Sequence, residues 1–224
     1  MQAACHDRNG DLVFDCDSRS KRCKDMSYFL EAIQELRSVP IPDYEDRVED
    51  ICQGLDDETT ERGGWPPAFL SDLLNLLSDE RFLSVRTSWH VLKLIKNYRH
   101  LISPGEAILL KDVLVAGYDK FGDWMGPYLA SEILGKFYPD GDTLAILKKL
   151  GRSARSPGRE LVPYGIETLA RTTQDELLRD VAVRELKLLL ENDSEPVRRE
   201  AAASLKKLGK NIETKEGNGA LPND

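Results

Sequence analysis

The sequence predicts an all-α protein built as a stacked helical solenoid, with a short polar segment at its N-terminus. The first observation is a repeat of 36 residues that runs through the C-terminal half of the chain. The second is the spacing of apolar positions within each copy, at i, i+4, i+5 and i+8, which is one face of an α-helix. A helical unit of this period buries its apolar face only against a neighbour of the same shape, so the repeat predicts stacking.

Four columns of residues define the repeat, and each column holds one residue from each of three successive copies. The columns are Met125, Leu161 and Val197; Leu129, Gly165 and Ala201; Ala130, Ile166 and Ala202; and Ile133, Leu169 and Leu205. We expect these columns to form the buried faces of three equivalent helices.

From Met26 onward the periodicity predicts ten helices separated by short breaks. We expect them at about 26–37, 43–54, 66–78, 84–100, 104–117, 123–137, 142–150, 159–172, 174–191 and 195–209. The segments Ser103–Glu106 and Thr173–Glu176 each place a hydroxyl three residues before a Glu, which predicts a capping box at both helix starts. Gly151 and Gly209 each follow a helical run, as glycines at helix C-caps do.

The two ends of the chain lack this periodicity. Residues 1–25 are polar, and Asn9–Gly10 suits a tight hairpin turn with positive φ. The segment 210–224 is also aperiodic, and we expect it to be disordered. We therefore divide the chain into a polar segment at 1–25, a helical repeat domain at 26–209 and a tail at 210–224.

Three of the four cysteines lie in the polar N-terminal segment. A zinc site formed by Cys5, His6, Cys16 and Cys23 is one interpretation, because thiolate and imidazole ligands suit zinc. The spacings match no established zinc pattern, and reduced cytosolic thiols are the interpretation that we favour. We therefore expect neither a metal nor a cofactor.

Composition predicts a soluble protein. The chain has 224 residues, of which 41% are apolar and 31% charged, and a chain of this size folds without a metal or a disulfide. No apolar run approaches the roughly 18 residues of a membrane span. The first residues lack the basic start and long apolar stretch of a secretory signal. We expect a cytoplasmic protein that does not bind a membrane.

The last repeat carries a recognisable motif. Residues Asp193–Gly209, DSEPVRREAAASLKKLG, resemble the first helix of a HEAT repeat in the short bacterial style, in which an Asp and a Pro precede a Val-Arg pair. Residues Asp79–Ile95 are similar through Val85–Arg86, with Trp89 in place of a small residue, and the middle copies keep only the apolar columns. The resemblance covers about residues 65–209 and implies antiparallel helix pairs in a right-handed superhelix with a concave surface.

The net charge of −8 is concentrated in one stretch of the chain. Residues 43–61 hold nine acids and a single base, Arg47, so this segment alone carries −8 and the remainder is neutral. The acids are Asp43, Glu45, Asp46, Glu49, Asp50, Asp56, Asp57, Glu58 and Glu61. A local charge of this size steers a cationic partner onto it, which predicts these acids as partner-binding residues. The alternative is a solvated acidic loop.

Two further features of the sequence concern partner binding, an aromatic residue and a basic segment. Trp65 follows the acidic stretch directly, and an aromatic beside a charged rim is typical of an interface anchor. The alternative is that Trp65 packs under the next helix.

Residues 148–159 form a basic counterpart to the acidic stretch, with five cations and no acid. We interpret it as an exposed inter-helix loop, with phosphate binding or pairing to the acidic segment as alternatives.

The chain lacks the common catalytic motifs. It has no P-loop, dinucleotide-binding glycine motif, HExxH or nucleophile elbow. Apart from the neighbours Cys5 and His6, no histidine has an adjacent residue that suggests a catalytic dyad. We predict Asp123 as a helix N-terminal cap and Trp124 as a core residue.

These observations predict a non-enzymatic protein-binding module, and the best candidate is an immunity protein that neutralises a toxin. A small acidic helical protein suits the basic active site of a nuclease, because its acids imitate the phosphate backbone. The resemblance adds that some bacterial immunity proteins, including partners of type VI secreted effectors, are small HEAT-like solenoids. We expect a protein partner with a basic surface, and the sequence leaves the oligomeric state open.

The alternatives are a general HEAT scaffold and a HEAT-like alkylpurine DNA glycosylase. In the glycosylase interpretation Trp89, Trp124 and Asp123 would lie at the lesion. The sequence pI near 5.1 argues against it, because DNA binding requires cations that neutralise phosphates. We therefore expect no nucleic-acid partner.

Overall fold

A computed structural model describes residues 28–38, 44–66, 68–153 and 158–209 of the chain. Within these ranges every regular element is a helix and none is a strand, so the all-α prediction is confirmed for this part of the chain. The predictions for residues 1–25 and 210–224 lie outside the described residues. So does the zinc interpretation, which rests on Cys5, His6, Cys16 and Cys23.

Eleven α-helices follow one another in the described ranges. They are α1 (28–37), α2 (Tyr44–Arg62), α3 (Phe69–Leu77), α4 (Glu80–Leu83), α5 (Trp89–Asn97), α6 (Pro104–Gly117), α7 (Met125–Phe137), α8 (Gly141–Arg152), α9 (Val162–Thr172), α10 (Glu176–Leu189) and α11 (Glu195–Lys207). Single turns of 3₁₀-helix at Arg99–Leu101 and Arg159–Leu161 follow α5 and precede α9.

Three of the four repeat columns lie in the core. In the first column Met125 and Leu161 are only half-buried, and Leu161 lies in the 3₁₀ turn before α9, so the prediction is wrong for these two residues. Ile133, Leu169 and Leu205, one from each copy, are all fully buried. The columns that begin at Leu129 and Ala130 are buried as well, except for the half-buried Ala202. The spacing of apolar residues therefore identified the packed faces of α7, α9 and α11.

The helices contact one another in a regular order. In the series α5, α7, α9, α11 each helix packs against the next, and the contact of α7 with α9 is the most extensive. The helix α8 contacts both α7 and α9, and α10 contacts both α9 and α11. At the other end α2 packs against α5, and α3 packs against α6. Alternate helices of the chain therefore lie side by side.

A close approach of backbones joins α7 to α9. A Cβ added at Gly135 would lie 2.3 Å from the carbonyl oxygen of Gly165 and 2.9 Å from the amide nitrogen of Leu169. The buried hydroxyl group of Tyr118 links α7 to the segment before α9. It donates to the carbonyl of Gly158 at 3.0 Å and lies 2.7 Å from Ser131 Oγ. These contacts fix the position of α7 against its neighbours.

The acidic stretch is helical, so the interpretation of it as a loop is wrong. We predicted a helix at 43–54, whereas α2 continues through Gly54 to Arg62. The glycine marks a packing contact and not a helix end, because a Cβ at Gly54 would lie 2.0 Å from the hydroxyl oxygen of Tyr28 in α1. The eight described acids of the stretch thus belong to one helix.

The single helix predicted at 84–100 is also wrong. The chain forms α4, then turns at residues 84–88, then α5. The Asp79 carboxylate caps α4 by accepting the Arg81 N–H at 2.9 Å, and Ser88 Oγ donates to the Leu83 carbonyl at 3.1 Å across the turn. The pair Val85–Arg86, which carried the HEAT resemblance here, therefore lies outside a helix.

Of the four predicted helix-end signals, two are confirmed and two are wrong. The capping box at Ser103–Glu106 is present, and Gly209 follows α11 with a φ of 65°, a backbone conformation that favours glycine. The box at Thr173–Glu176 is wrong, because Asp175 caps α10. Gly151 lies inside α8 and not after it. A Cβ added at Gly151 would come within 3.2 Å of the Val162 side chain.

Replacing Asp175 tests this capping geometry. Its carboxylate accepts the N–H groups of Leu177 at 2.9 Å and Leu178 at 3.2 Å, which otherwise lack partners in the first turn. We expect Asp175→Ala to lower the free energy of unfolding by about 1 kcal/mol, measured by urea denaturation. Ser194 is the matched control, because it precedes α11 without a side-chain capping bond, and Ser194→Ala should be almost neutral. Equal losses from both variants would contradict the assignment.

Candidate partner-binding surface

The acids of α2 lie on two sides of the helix. Tyr44, Val48 and Leu55 mark its buried side. At 100° per residue, one group of acids falls opposite this side, and we call it the outer ridge. The outer ridge consists of Asp46, Asp50, Asp57 and Glu61, all of which are exposed.

The outer ridge retains its negative charge for a partner. Among the described residues no cation lies within ion-pair distance of its four carboxylates, and the one side-chain bond is donated by the neutral amide of Gln53 to Asp57 at 3.1 Å. Like charges at i and i+4, as in Asp46 and Asp50, repel and slightly destabilise a helix. The arrangement therefore favours a cationic partner.

A second group of acids lies towards α5, where the backbone of α2 accepts hydrogen bonds from residues that flank α5. Thr87 donates to the backbone carbonyl of Glu45 at 2.8 Å, and the hydroxyl of Tyr98 donates to the carbonyl of Asp56 at 2.9 Å. The carboxylate of Glu49 lies 3.9 Å from His90 Nε2. Glu45, Asp56 and Glu49 therefore contact the region of α5, in addition to their predicted role in partner binding.

The two remaining acids of the prediction contribute less to the exposed charge. Glu58 forms an ion pair with Arg62 one turn later in α2. Asp43 lies outside the described residues. The only base of the stretch, Arg47, turns to α1, where its Nε donates to Glu35 at 2.5 Å. The structure therefore brings four of the nine predicted acids together as an unpaired set.

Trp65 packs as its alternative interpretation predicts. Its ring is half-buried and lies 5.8 Å from the ring of Phe69 in α3 and 5.7 Å from that of Tyr98, measured between centroids. Its indole N–H is buried and has no hydrogen-bond partner among the described atoms. Its role as an interface anchor stays a prediction.

The helix α1 adds acids that the sequence reasoning missed. A groove between α1 and α2 is lined by Tyr28, Glu31, Glu35, Arg47 and Asp50, among others. Burial raises the pKa of Tyr28, and the carboxylates of Glu58 and Asp57 raise it further. The spacing of Glu31 and Glu35 by one helical turn was the available signal, because it places both on one face of a predicted helix.

The first five residues of the basic segment, 148–152, are α-helical, which corrects the interpretation of this part as a loop. Lys148, Lys149 and Arg152 belong to α8. Lys148 Nζ and Arg152 Nη2 lie 3.0 and 2.7 Å from the carboxylate of Glu185, which is almost fully buried. Arg159 pairs with Asp193 at 3.4 Å, and Arg155 lies outside the described residues. The segment thus compensates acids of α10 and the turn before α11.

A second surface centres on aromatic residues of α7 and α9. Asp123 accepts the N–H of Met125 at 2.9 Å, which confirms its predicted capping function. The prediction of Trp124 as core is wrong, because 60% of this residue is exposed. Its ring lies 6.0 Å from Tyr128, which stacks at 4.5 Å on Tyr164. We call these three aromatic side chains the aromatic row.

A buried carboxylate lies beside the aromatic row. Glu167 of α9 is fully buried, and its oxygens accept no hydrogen bond of good geometry. Arg171 Nε approaches to 2.6 Å and Lys207 Nζ to 3.7 Å. Burial raises the pKa of Glu167, and these two cations oppose that rise. Desolvation therefore outweighs the ion pairs at this position.

Replacing Glu167 by Gln tests that balance. Because the pKa of Glu167 is raised in the folded state, the ionised form costs stability above that pKa, and stability is regained as the pH falls through it towards the ordinary value of 4.5. The side chains of Arg171 and Lys207 are 57% and 51% exposed, so they stay solvated in the variant. We expect Glu167→Gln to match or exceed the wild type in unfolding free energy at pH 7 and to lose the advantage near pH 4.

The control for this measurement is Glu132→Gln. Glu132 pairs with Lys96 of α5 at 3.1 Å, and both side chains are mostly buried. We expect this variant to be less stable than the wild type at pH 7, as measured by urea denaturation at both pH values. A clear loss of stability for Glu167→Gln at pH 7 would contradict the dominance of desolvation.

The chain has no match among protein-family models, curated proteins or solved structures. No described helix combines the length and the apolar character that crossing a membrane requires. Burial raises the pKa of the Cys52 thiol to about 12, so this cysteine of α2 is a poor nucleophile at neutral pH. A functional assignment therefore rests on the outer ridge and the aromatic row.

Proposed function

We propose that the protein is a non-enzymatic, cytoplasmic binding module that captures a basic partner protein through α2. The observation that carries this proposal is the outer ridge, in which Asp46, Asp50, Asp57 and Glu61 are exposed on one side of a helix without a neutralising cation in the described structure. Negative charge held in one place raises the association rate of a positively charged protein and fixes its orientation.

We further propose that the helices stack as a right-handed HEAT-like solenoid. The packing of α5, α7, α9 and α11 in series, with α8 and α10 each in contact with two of them, supports this arrangement. In such a fold each repeat contacts only its neighbours, so helices at the end of the array keep an exposed face. The position of α2 beside α5 leaves the outer ridge available to a partner.

The partner proposed here is a toxin with a basic active site, of which a nuclease is the best candidate. A nuclease holds its substrate through Lys and Arg side chains that neutralise phosphates. A helix with a ridge of carboxylates presents negative charges to such a site, and it covers the site without serving as a substrate. In this proposal the protein is an immunity protein, and partners secreted by type VI systems fit the description.

The structure gives less support to a DNA glycosylase. Trp89 is half-buried and stacks on His90 at 3.7 Å, and Asp123 is engaged in capping α7. The basic segment in α8 is compensated by Glu185. A surface of this charge repels a phosphate backbone.

Affinity capture from a lysate of the source organism tests the proposal. The full-length protein is immobilised, retained proteins are identified by mass spectrometry, and the capture is repeated at 0.05 and about 1 M salt, where the screening length falls to about 3 Å. We expect one basic protein in stoichiometric amount at low salt and much less at high salt. Its expression alone should be toxic. Retention of nucleic acid without a basic protein, or of a partner indifferent to salt, would contradict the proposal.

A further inference from the structure

The repeat itself builds the aromatic row. Tyr128 and Tyr164 are 36 residues apart, so they occupy the same position in the adjacent helices α7 and α9. Their rings lie parallel, at an interplanar angle of 13°. Trp124 precedes Tyr128 by one helical turn and meets it edge to face, at 67°. The row is therefore a continuous aromatic strip across two helices.

The row is open at its Trp124 end. Trp65 and Trp89 are half-buried, whereas 60% of Trp124 is exposed. An exposed tryptophan supported by two tyrosines is the combination that dominates the energy of protein interfaces, because large rigid rings bury much area at little entropic cost.

At its other end the row already holds a cation. Lys207 Nζ of α11 lies 5.1 Å from the ring centroid of Tyr164 and 3.7 Å from the carboxylate of Glu167. An ammonium over an aromatic face is attracted by the ring quadrupole. This internal contact demonstrates the chemistry that the row accepts, which is a Lys or Arg side chain stacked on a ring.

Of the carboxylates near the row, Glu167 is fully buried and Glu132 mostly buried, both are paired with cations, and Asp123 at the open end is only weakly paired. Burial raises the pKa of Tyr164, followed by its contact with the Tyr128 hydroxyl and by the carboxylates of Glu132 and Glu167, which therefore lie close to it. At the open end Asp123 has its nearest cation, Arg86, at the limiting distance of 4.0 Å. Nucleic-acid bases also stack on aromatic rings, but at the open end a phosphate would meet the weakly paired carboxylate of Asp123.

We propose that the aromatic row is a docking surface for a segment of a partner protein, and that a Lys or Arg of that segment stacks on Trp124. The inference rests on the proposed function for the basic character of the partner, and it adds a second contact area. The helix α5 lies between α2 and α7, in contact with both, so the two areas can be tested separately.

The indole N–H resonances of the full-length protein provide the test. They are assigned by replacing each of Trp65, Trp89 and Trp124 with Phe, and the protein is then titrated with hexa-arginine amide, hexaglutamate and a dT12 oligonucleotide. We expect hexa-arginine to shift the Trp124 signal and to leave the Trp65 and Trp89 signals in place. A Trp124 signal that hexa-arginine leaves unchanged, or that dT12 shifts more strongly, overturns the inference.

Variants separate this inference from the proposed function. We expect Trp124→Ala to weaken hexa-arginine binding about fivefold, within the range of a cation–π contact, in isothermal titration calorimetry. The matched control is Leu177→Ala on α10, which removes a residue that is 78% exposed and should change the affinity less than twofold. Equal losses of hexa-arginine affinity in the two variants would contradict docking on the aromatic row. If hexa-arginine binding is lost on charge reversal of the outer ridge and is unchanged in Trp124→Ala, the proposed function stands and this inference is wrong.

Discussion

Charge reversal of the outer ridge is expected to reduce the affinity for the captured partner by at least about a hundredfold at low salt. The variant Asp46→Lys, Asp50→Lys and Asp57→Lys replaces three exposed carboxylates with three ammonium groups on the same side of α2. Attraction becomes repulsion, and like charges that meet across an interface cost several kcal/mol. Most of the loss should appear in the association rate, because unpaired surface charges act mainly on the encounter.

The matched control carries the same change of charge on another helix. Glu176, Asp180 and Glu191 lie in or just after α10 and are exposed, and the main contacts of α10 are with α8, α9 and α11. Replacement of these three by Lys should change the affinity less than about fivefold, through the long-range field alone. Surface plasmon resonance at two salt concentrations compares both variants. Equal losses would show that net charge and not the outer ridge determines binding.

Replacement of Gly135 by Ala is expected to lower the free energy of unfolding by about 2–3 kcal/mol. The added Cβ would lie 2.3 Å from the Gly165 oxygen and 2.9 Å from the Leu169 nitrogen. Both are backbone atoms, so no side chain can rotate away and α9 has to move. Because α7 and α9 form the most extensive helix contact, a shift there disturbs the middle of the array.

Gly105→Ala is the control for this prediction. Gly105 lies in the first turn of α6, and a Cβ there meets nothing within 4 Å. Its replacement should be neutral or raise stability by up to about 1 kcal/mol, since alanine favours the helix. Urea denaturation followed by circular dichroism measures both variants. A Gly135→Ala protein as stable as the wild type would contradict the close packing of α7 on α9.

Local signals predicted the helices whose limits depend on local chemistry. The helix α6 begins after a capping box and ends as predicted at 104–117, and the buried columns of α7, α9 and α11 follow directly from their spacing. The signals failed at two other helix limits. Gly54 suggested a helix end, whereas it lies inside α2 in close contact with Tyr28 of α1, and the apolar periodicity did not reveal the turn that Ser88 closes by donating to the Leu83 carbonyl.

The candidate surfaces were predicted to different degrees. The acids of α2 were found from composition, but their division into an outer ridge and a side attached to α5 follows from the helix and its neighbours. Trp124 was assigned to the core because helix neighbours point about 100° apart, which separates it from the cap Asp123, whereas in the structure Trp124 lies directly before α7 and is exposed. The spacing of Tyr128 and Tyr164 by one repeat was a visible signal of the aromatic row.

Growth under co-expression tests whether the outer ridge neutralises the partner. The captured partner is expressed in a bacterial host alone, with the wild-type protein, and with the charge-reversed variant of Asp46, Asp50 and Asp57, whose folding is verified by circular dichroism. We expect arrested growth with the partner alone, full growth with the wild type, and arrested growth again with the variant. Normal growth with the partner alone, or full rescue by the charge-reversed variant, would contradict neutralisation through the outer ridge of α2.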